Sequence, residues 1–148
     1  MKNNYQDTLN KAKEQGLIQE GDKYVFCTVR PKEGNRSGSF VEVIYYNYFV
    51  LFVVNKNEVK LIDIDQKTGE LVGSYKIIKR ENIIELNDFW CFLSRDFYLN
   101  AQNPNYRENF AVTKKFKGYD QNEMYNEIRS FIKQEYVLPL KDAKKNKK

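Results

Sequence analysis

The 148-residue chain contains no histidine. That absence removes Ser-His-Asp and Cys-His nucleophiles, His-ligated zinc and the imidazole proton shuttle. Neither GxxxxGK[ST] nor GxGxxG occurs, so no backbone cradle for phosphates is signalled. Cysteine is scarce. Cys27 and Cys91 each sit inside an apolar run, YVFCTV and FWCFL, with no CxxC neighbour. Two isolated buried thiols are what a reducing compartment permits. The longest apolar run, YFVLFVV at 48–54, is far short of the ~18 residues that a spanning helix needs. The start, MKNNYQDTLNKAKEQ, has no apolar h-region, so no signal peptide is expected. These absences predict a cytoplasmic protein that is not an enzyme and uses no cofactor or metal.

Apolar residues make up 41% of the chain, with 11 Tyr, 10 Phe and one Trp among them, enough for a packed core. A chain of this length is the usual size of one domain and buries roughly 70% of its unfolded surface. The formal charge of +5 is unevenly placed. The last ten residues, PLKDAKKNKK, hold five Lys and one Asp; without them 20 basic residues face 19 acidic ones. A single domain over 1–138 is therefore close to neutral, and 139–148 reads as a lysine-rich, disordered, solubilising tail.

Residues 4–15 read as a short helix, with Tyr5, Leu9 and Ala12 on one stripe and Gly16 as its left-handed C-terminal cap. From Lys23 the period becomes two, and strands are predicted between 23 and 116. KYVFCTVR (23–30) is a strand, PKEGNRSGS a loop, and SFVEVIYYNYFVLFVV (39–54) a long strand expected to bend near Asn47. Turns are expected at Asn55–Asn57 and Asp65–Gly69, and KRENIIELND reads as a helical turn or bulged connection. FWCFL (89–93) and DFYLN (96–100) form a tight pair, AQNPNYRE is a loop, and NFAVTKKF (109–116) is the last strand. A helix over 121–136 follows, with Asp120 as N-cap, Glu123 completing a capping box, and Met124, Tyr125, Ile128, Phe131 and Ile132 on its apolar face. Pro139 stops it. No crossover helix separates any two strands, so the fold class is α+β, mainly β: a seven-stranded antiparallel curled sheet or barrel, with a short N-terminal helix and a C-terminal helix over one open end.

The cluster Asp63-Ile-Asp65 raises the question of calcium. An EF-hand loop needs oxygen ligands at positions 1, 3 and 5, Gly at 6 and Glu at 12. Counting from Asp63 puts Lys67 at 5, Thr68 at 6 and Ser74 at 12, so an ammonium stands where an oxygen is required. The favoured reading is a type I turn with Gly69 in a G1 bulge and Asp65 bonding its own backbone.

GLIQEGDKYVFCTVR, YFVLFVVNKNEVKLIDI, GSYKIIKRENIIEL and NFAVTKKFKGYDQNEMYNEIRSFIKQ together resemble the pleckstrin-homology-like superfold, in particular its small bacterial PH-like and GRAM-like domains. The resemblance covers roughly residues 16–137. It implies a binding module. The sequence departs from the animal pattern, which places a Trp in the closing helix; here the only Trp is Trp90, in a strand.

Phosphoinositide-binding members carry basic residues on the first strand and its loop, where this chain has Lys23, Arg30, Lys32 and Arg36, interrupted by Glu33. Lys32 and Arg36 could grip a phosphate or acidic peptide, though an ordinary solvated loop is the favoured reading. Tyr45, Tyr46 and Tyr48 could form an interaction surface; division between core and exterior is favoured. Asp63, Asp65, Glu81, Glu85 and Asp88 lack any signalled partner that would raise one pKa for acid–base work. The expected function is a non-catalytic module for protein–protein interaction or self-assembly, with a protein partner or homo-oligomer. The alternative is a peripheral anionic-lipid or phosphate binder using the Lys32/Arg36 loop and the tail, giving weak membrane association. Nucleic acid is disfavoured by the neutral body.

Overall fold

The computed structural model describes residues 5–30, 48–91 and 94–139. The chain begins with α1 (Tyr5–Glu14) and continues into β1 (Lys23–Arg30), β2 (Tyr48–Val54), β3 (Glu58–Ile64) and β4 (Leu71–Lys79). A single 3-10 turn, Arg80–Asn82, leads to β5 (Ile83–Cys91), β6 (Ser94–Ala101) and β7 (Tyr106–Val112). A two-stranded ribbon, β8 (Lys115–Phe116) and β9 (Tyr119–Asp120), precedes α2 (Asn122–Ile132), which runs into a widened π turn, Lys133–Val137.

The seven long strands form one antiparallel sheet in the order β4-β3-β2-β1-β7-β6-β5. It consists of two meanders, β1 to β4 and β5 to β7, joined by pairing of β1 with β7. Ile78 of β4 and Leu86 of β5, from opposite ends of the sheet, belong to one buried cluster with Val25, Phe52, Phe97 and Phe110. The sheet must therefore curl until its two ends approach. Lys76 of β4, 4.0 Å above the Tyr106 ring of β7, spans the same gap. Tyr125, Ile128, Ile132 and Tyr136 of α2 and its π turn complete this cluster and plug the barrel. Mainly-β class, seven antiparallel strands and both helices agree with the sequence expectation, and the order is consistent with a PH-like fold.

A second core lies on the opposite face of β1–β3. There Phe26, Leu51, Val53, Ile62 and Ile64 pack against Tyr5, Leu9 and Ala12 of α1 and Phe116 of the ribbon. Alternation along β1 explains the division: Val25 and Cys27 point into the barrel, Phe26 out beneath α1. The stripe predicted for α1 is the buried one, joined by Thr8, whose hydroxyl donates to the Gly69 carbonyl at 2.6 Å. Gly16 has φ +76°, and the Leu17 N–H donates to the Ala12 carbonyl at 2.9 Å, closing the helix as expected. Cys27 is a buried free thiol whose pKa burial pushes well up.

Several expectations need correction. IIELND belongs to β5, because its inward Leu86 is part of the core; only Arg80–Asn82 forms the turn. NFAVTKKF is broken: β7 ends at Val112, and Lys115–Phe116 enters the ribbon. Asp120 is not the helix N-cap. The ribbon holds it extended, Gln121 occupies the cap position without a side-chain cap bond, and Asp120 Oδ1 accepts from the Asn122 N–H at 3.0 Å. Residues 39–47 of the long predicted strand, its bend near Asn47, and tail residues 140–148 lie outside the described residues.

The Gln121 side chain is spent elsewhere. Beyond Val112, β1 has lost its β7 partner, and the Gln121 amide replaces it: Oε1 accepts from the Phe26 N–H at 2.9 Å, and Nε2 donates to the Phe26 carbonyl at 3.0 Å. Nε2 also donates to the Thr113 carbonyl at 2.9 Å. This fully bonded buried amide completes the strand ladder at Phe26. At the far end of α2, the Tyr136 hydroxyl donates to the Asn55 carbonyl at 2.6 Å, and Arg80 lies over the Tyr136 ring while donating to the Glu135 carbonyl.

Replacing Gln121 with Leu leaves the Phe26 N–H and carbonyl unpaired and is expected to cost about 2–4 kcal/mol in urea unfolding. Leu9→Ala, which hollows the second core, is expected to cost about 2–5 kcal/mol. A cost below ~0.5 kcal/mol for Leu9→Ala would show that α1 does not bury that side chain in solution.

Candidate binding surfaces

The acidic cluster is a turn. Asp65 Oδ1 accepts from the Lys67 and Thr68 N–H groups at 2.8 and 2.9 Å, and Gly69 has φ +76° while its N–H donates to the Asp65 carbonyl at 2.9 Å. These backbone bonds hold the Asp65 carboxyl below its ordinary range. Asp63 faces β4, where its Oδ2 accepts from the Ser74 hydroxyl at 2.6 Å. Among the described residues no group of three or more His, Cys, Asp or Glu is arranged to hold a metal ion.

Of the sequence-predicted phosphate residues, Lys23 and Arg30 fall within the described residues. Lys23 and Arg30 are the first and last residues of β1, separated by roughly 23 Å at 3.3 Å per residue. Lys23 turns to α2, its Nζ 3.3 Å from Glu127 Oε1. Arg30 pairs in register with Asn109, at the opposite end of β1. Lys32, Arg36, Tyr45 and Tyr46 lie outside the described residues; Tyr48 opens β2 opposite Val29.

Two features of the described surface stand out. The first is the open edge of the sheet. β4 is a terminal strand, paired with β3 alone among the described residues, and it exposes Val72 (52%), Tyr75 (51%) and Ile77 (43%). Tyr75 and Ile77 stand opposite Ile62 and Lys60, on the α1 side of the sheet but at its uncovered margin. Between Leu71 and Tyr75 the strand bulges: Leu71 pairs with Ile64 and Tyr75 with Ile62, so three β4 residues face one on β3. Gly73, at φ +94° with open space around it, provides the bend. Beside the bulge lies a cleft of about 400 Å³ bordered by Asp63, Tyr75, Lys76 and Tyr106.

The second is a polar cleft of about 470 Å³ where α2 crosses the β5–β6 end of the barrel. Leu86 and Phe97 point inward, so alternation brings Asp88 and Arg95 to the same inner face. Asn126, Arg129, Ser130 and Lys133 recur along one stripe of the helix and supply the facing wall; Asn87 and Val137 complete it. Arg129 Nε donates to Asp88 Oδ2 at 2.8 Å, and Arg95 Nη1 lies 3.8 Å from Asp88 Oδ1. The bond to Asp88 raises the Arg129 pKa still further, so its charge is fixed. Two guanidinium groups thus share one carboxylate, with Lys133 on the same stripe of the helix. Sequence reasoning placed Asp88 among possible acid–base groups and overlooked Arg95, Arg129 and Lys133. The i, i+3, i+4, i+7 spacing of Asn126, Arg129, Ser130 and Lys133 was the available signal, but the strand residues facing it are fixed only by the fold.

No protein-family model and no curated protein matches the chain. Among solved structures it is similar to the hSac2 domain from human phosphoinositide phosphatase Sac2, at 11% identity, over 86% of this chain and 79% of that one, with a TM-score of 0.48. Among the described residues no helix is long and apolar enough to cross a membrane.

Because the folded-state pKa of Asp65 is depressed, its contribution to stability is complete above the ordinary carboxylate value of about 4 and is lost as pH falls through the lower folded value. Asp65→Asn is expected to flatten the acid side of the stability–pH curve by lowering stability near neutral pH, where the ionised carboxylate contributes, while leaving the acid extreme nearly unchanged. An unaltered acid limb in urea titrations at several pH values would contradict the turn's bonding.

Proposed function

We propose that the chain is a non-catalytic binding module that receives an extended segment of a protein partner along the open edge of β4. The observation that carries this reading is a terminal strand with three exposed apolar side chains, on or beside an edge that pairs with no other strand among the described residues. Unpaired N–H and C=O groups of such an edge provide non-selective affinity, and the side chains supply selectivity. Lys76 and Lys79 interleave with Tyr75 and Ile77, and the Gly73 bulge interrupts the first half of the strand. Both features oppose indiscriminate pairing. They favour a short segment that alternates apolar and acidic residues, its apolar side chains meeting Tyr75 and Ile77 on one face and its carboxylates meeting Lys76 on the other. The absence of histidine and the commitment of Asp63 and Asp65 to local hydrogen bonds favour binding over catalysis.

The test is a titration of the isotope-labelled chain with a synthetic peptide of alternating Val and Glu. Chemical-shift changes are expected along the β4 amides and in the Tyr75 ring, with loss of binding in Ile77→Lys at an unchanged melting temperature. Failure of the β4 amides to respond would overturn the reading. Light scattering that shows a concentration-dependent dimer, abolished by Ile77→Lys, would redirect it to pairing between two copies.

A further inference from the structure

We infer that the cleft beside the β4 bulge is a binding site for a free α-amino acid with an apolar side chain, its ammonium on Asp63 and its carboxylate on Lys76. The site goes beyond the proposed edge pairing and does not depend on it, although the two share Lys76.

Patterning comes first. Along β3 the residues that face the barrel interior are Val59, Leu61 and then Asp63; along β4 they are Ile78, Lys76 and then Ser74. Both strands thus change from apolar to charged or polar at the same level, where Asp63 stands opposite Val50 of β2. The Gly73 bulge interrupts the β3–β4 ladder here. The adjoining cleft of about 400 Å³ is lined by Val50 and Leu61 as well as by Asp63, Ser74, Lys76 and Tyr106. That volume lies at the lower end of the range for small-molecule pockets, about 300–1,000 Å³.

Charge separation comes second. Diagonal neighbours on two antiparallel strands have Cβ atoms about 7–8 Å apart, near enough for a Lys and an Asp to pair directly. Asp63 and Lys76 do not pair, and neither has an ion-pair partner among the described residues. Lys76 lies instead over the Tyr106 ring, its Nζ 4.0 Å from the centroid. Asp63 spends Oδ2 on the Ser74 hydroxyl at 2.6 Å, which leaves Oδ1 for another donor. With a hydrogen bond of about 2.8 Å at each end, the ammonium and carboxylate of one α-carbon span a gap of this order. A ligand of one charge leaves either Asp63 or Lys76 unmatched in the recess, whereas a zwitterion answers both. Val50 and Leu61 on the lining select an apolar side chain.

The experiment titrates the full chain with L-leucine in about 0.15 M NaCl, where weak surface attraction is screened, and follows the backbone amides by NMR. Saturable shifts are expected at Asp63, Ser74 and Lys76. L-Leucinamide, which lacks the carboxylate, and 4-methylpentanoate, which lacks the ammonium, should each bind about tenfold more weakly or worse, the loss expected for one charged hydrogen bond. Asp63→Asn, which keeps an acceptor for the Ser74 hydroxyl, and Lys76→Gln should weaken L-leucine by a similar factor with nearly unchanged melting midpoints. Lys133→Gln, outside the cleft on α2, should leave affinity within about twofold. Absence of saturable shifts, or equal loss in Lys76→Gln and Lys133→Gln, would overturn the site. Equal affinity for L-leucine and either analogue would overturn the zwitterion assignment. Retention of L-leucine binding in Ile77→Lys is expected, and separates this site from the edge pairing that the same variant abolishes.

Discussion

The architecture depends on α2 entering a sheet that cannot close by itself. Seven antiparallel strands with β4 and β5 at the ends, each paired on one side among the described residues, leave a curled ribbon whose inner apolar face would remain open at one mouth. Ile128 and Ile132, both fully buried, and Tyr136 fill that mouth. Everything that fixes α2 therefore fixes the curvature: the Gln121 amide at its start, the Asp88–Arg129 bond midway, and the Arg80–Tyr136 stack at its end. Each is a polar contact at the margin of an apolar interface. They set the helix's position and rotation, while burial of its apolar face supplies most of the driving force.

This division explains why the fold was legible and the surfaces were not. Period-two alternation in KYVFCTVR and VKLIDI, the stripe Tyr5-Leu9-Ala12, and the Asp65–Gly69 turn are local signals, and all reappear in the structure. The errors concern competition. Asp120 has the chemistry of an N-cap, but the ribbon takes its backbone first; Gln121 has little cap propensity, yet sits there because β1 needs its amide. Ile83–Asp88 reads as a connection because polar and apolar residues mix. Only burial of Leu86 against Phe97 and its neighbours makes it a strand.

The two surfaces show the same limit. Exposed Tyr75 and Ile77 look from sequence like ordinary inward residues of an alternating strand, since nothing in GSYKII reports that α1 stops short of covering β4. The basic cleft draws on residues 88, 95, 129 and 133, which come from two strands and a helix brought together by the plug. Grouping by sequence proximity instead selected Lys23 and Arg30, which a strand holds at opposite ends.

The Gln121–Phe26 bonds join positions 95 residues apart, and the β1–β7 register joins Cys27 to Val112. The first strand of the sheet thus stays half-satisfied until nearly the whole domain has been made, and the loop that must close is almost as long as the domain itself. High contact order of this kind slows acquisition of the native state. A nascent chain released before its closing helix would present an apolar ribbon whose inner face is still uncovered, because the last element supplies the missing rung of the first strand.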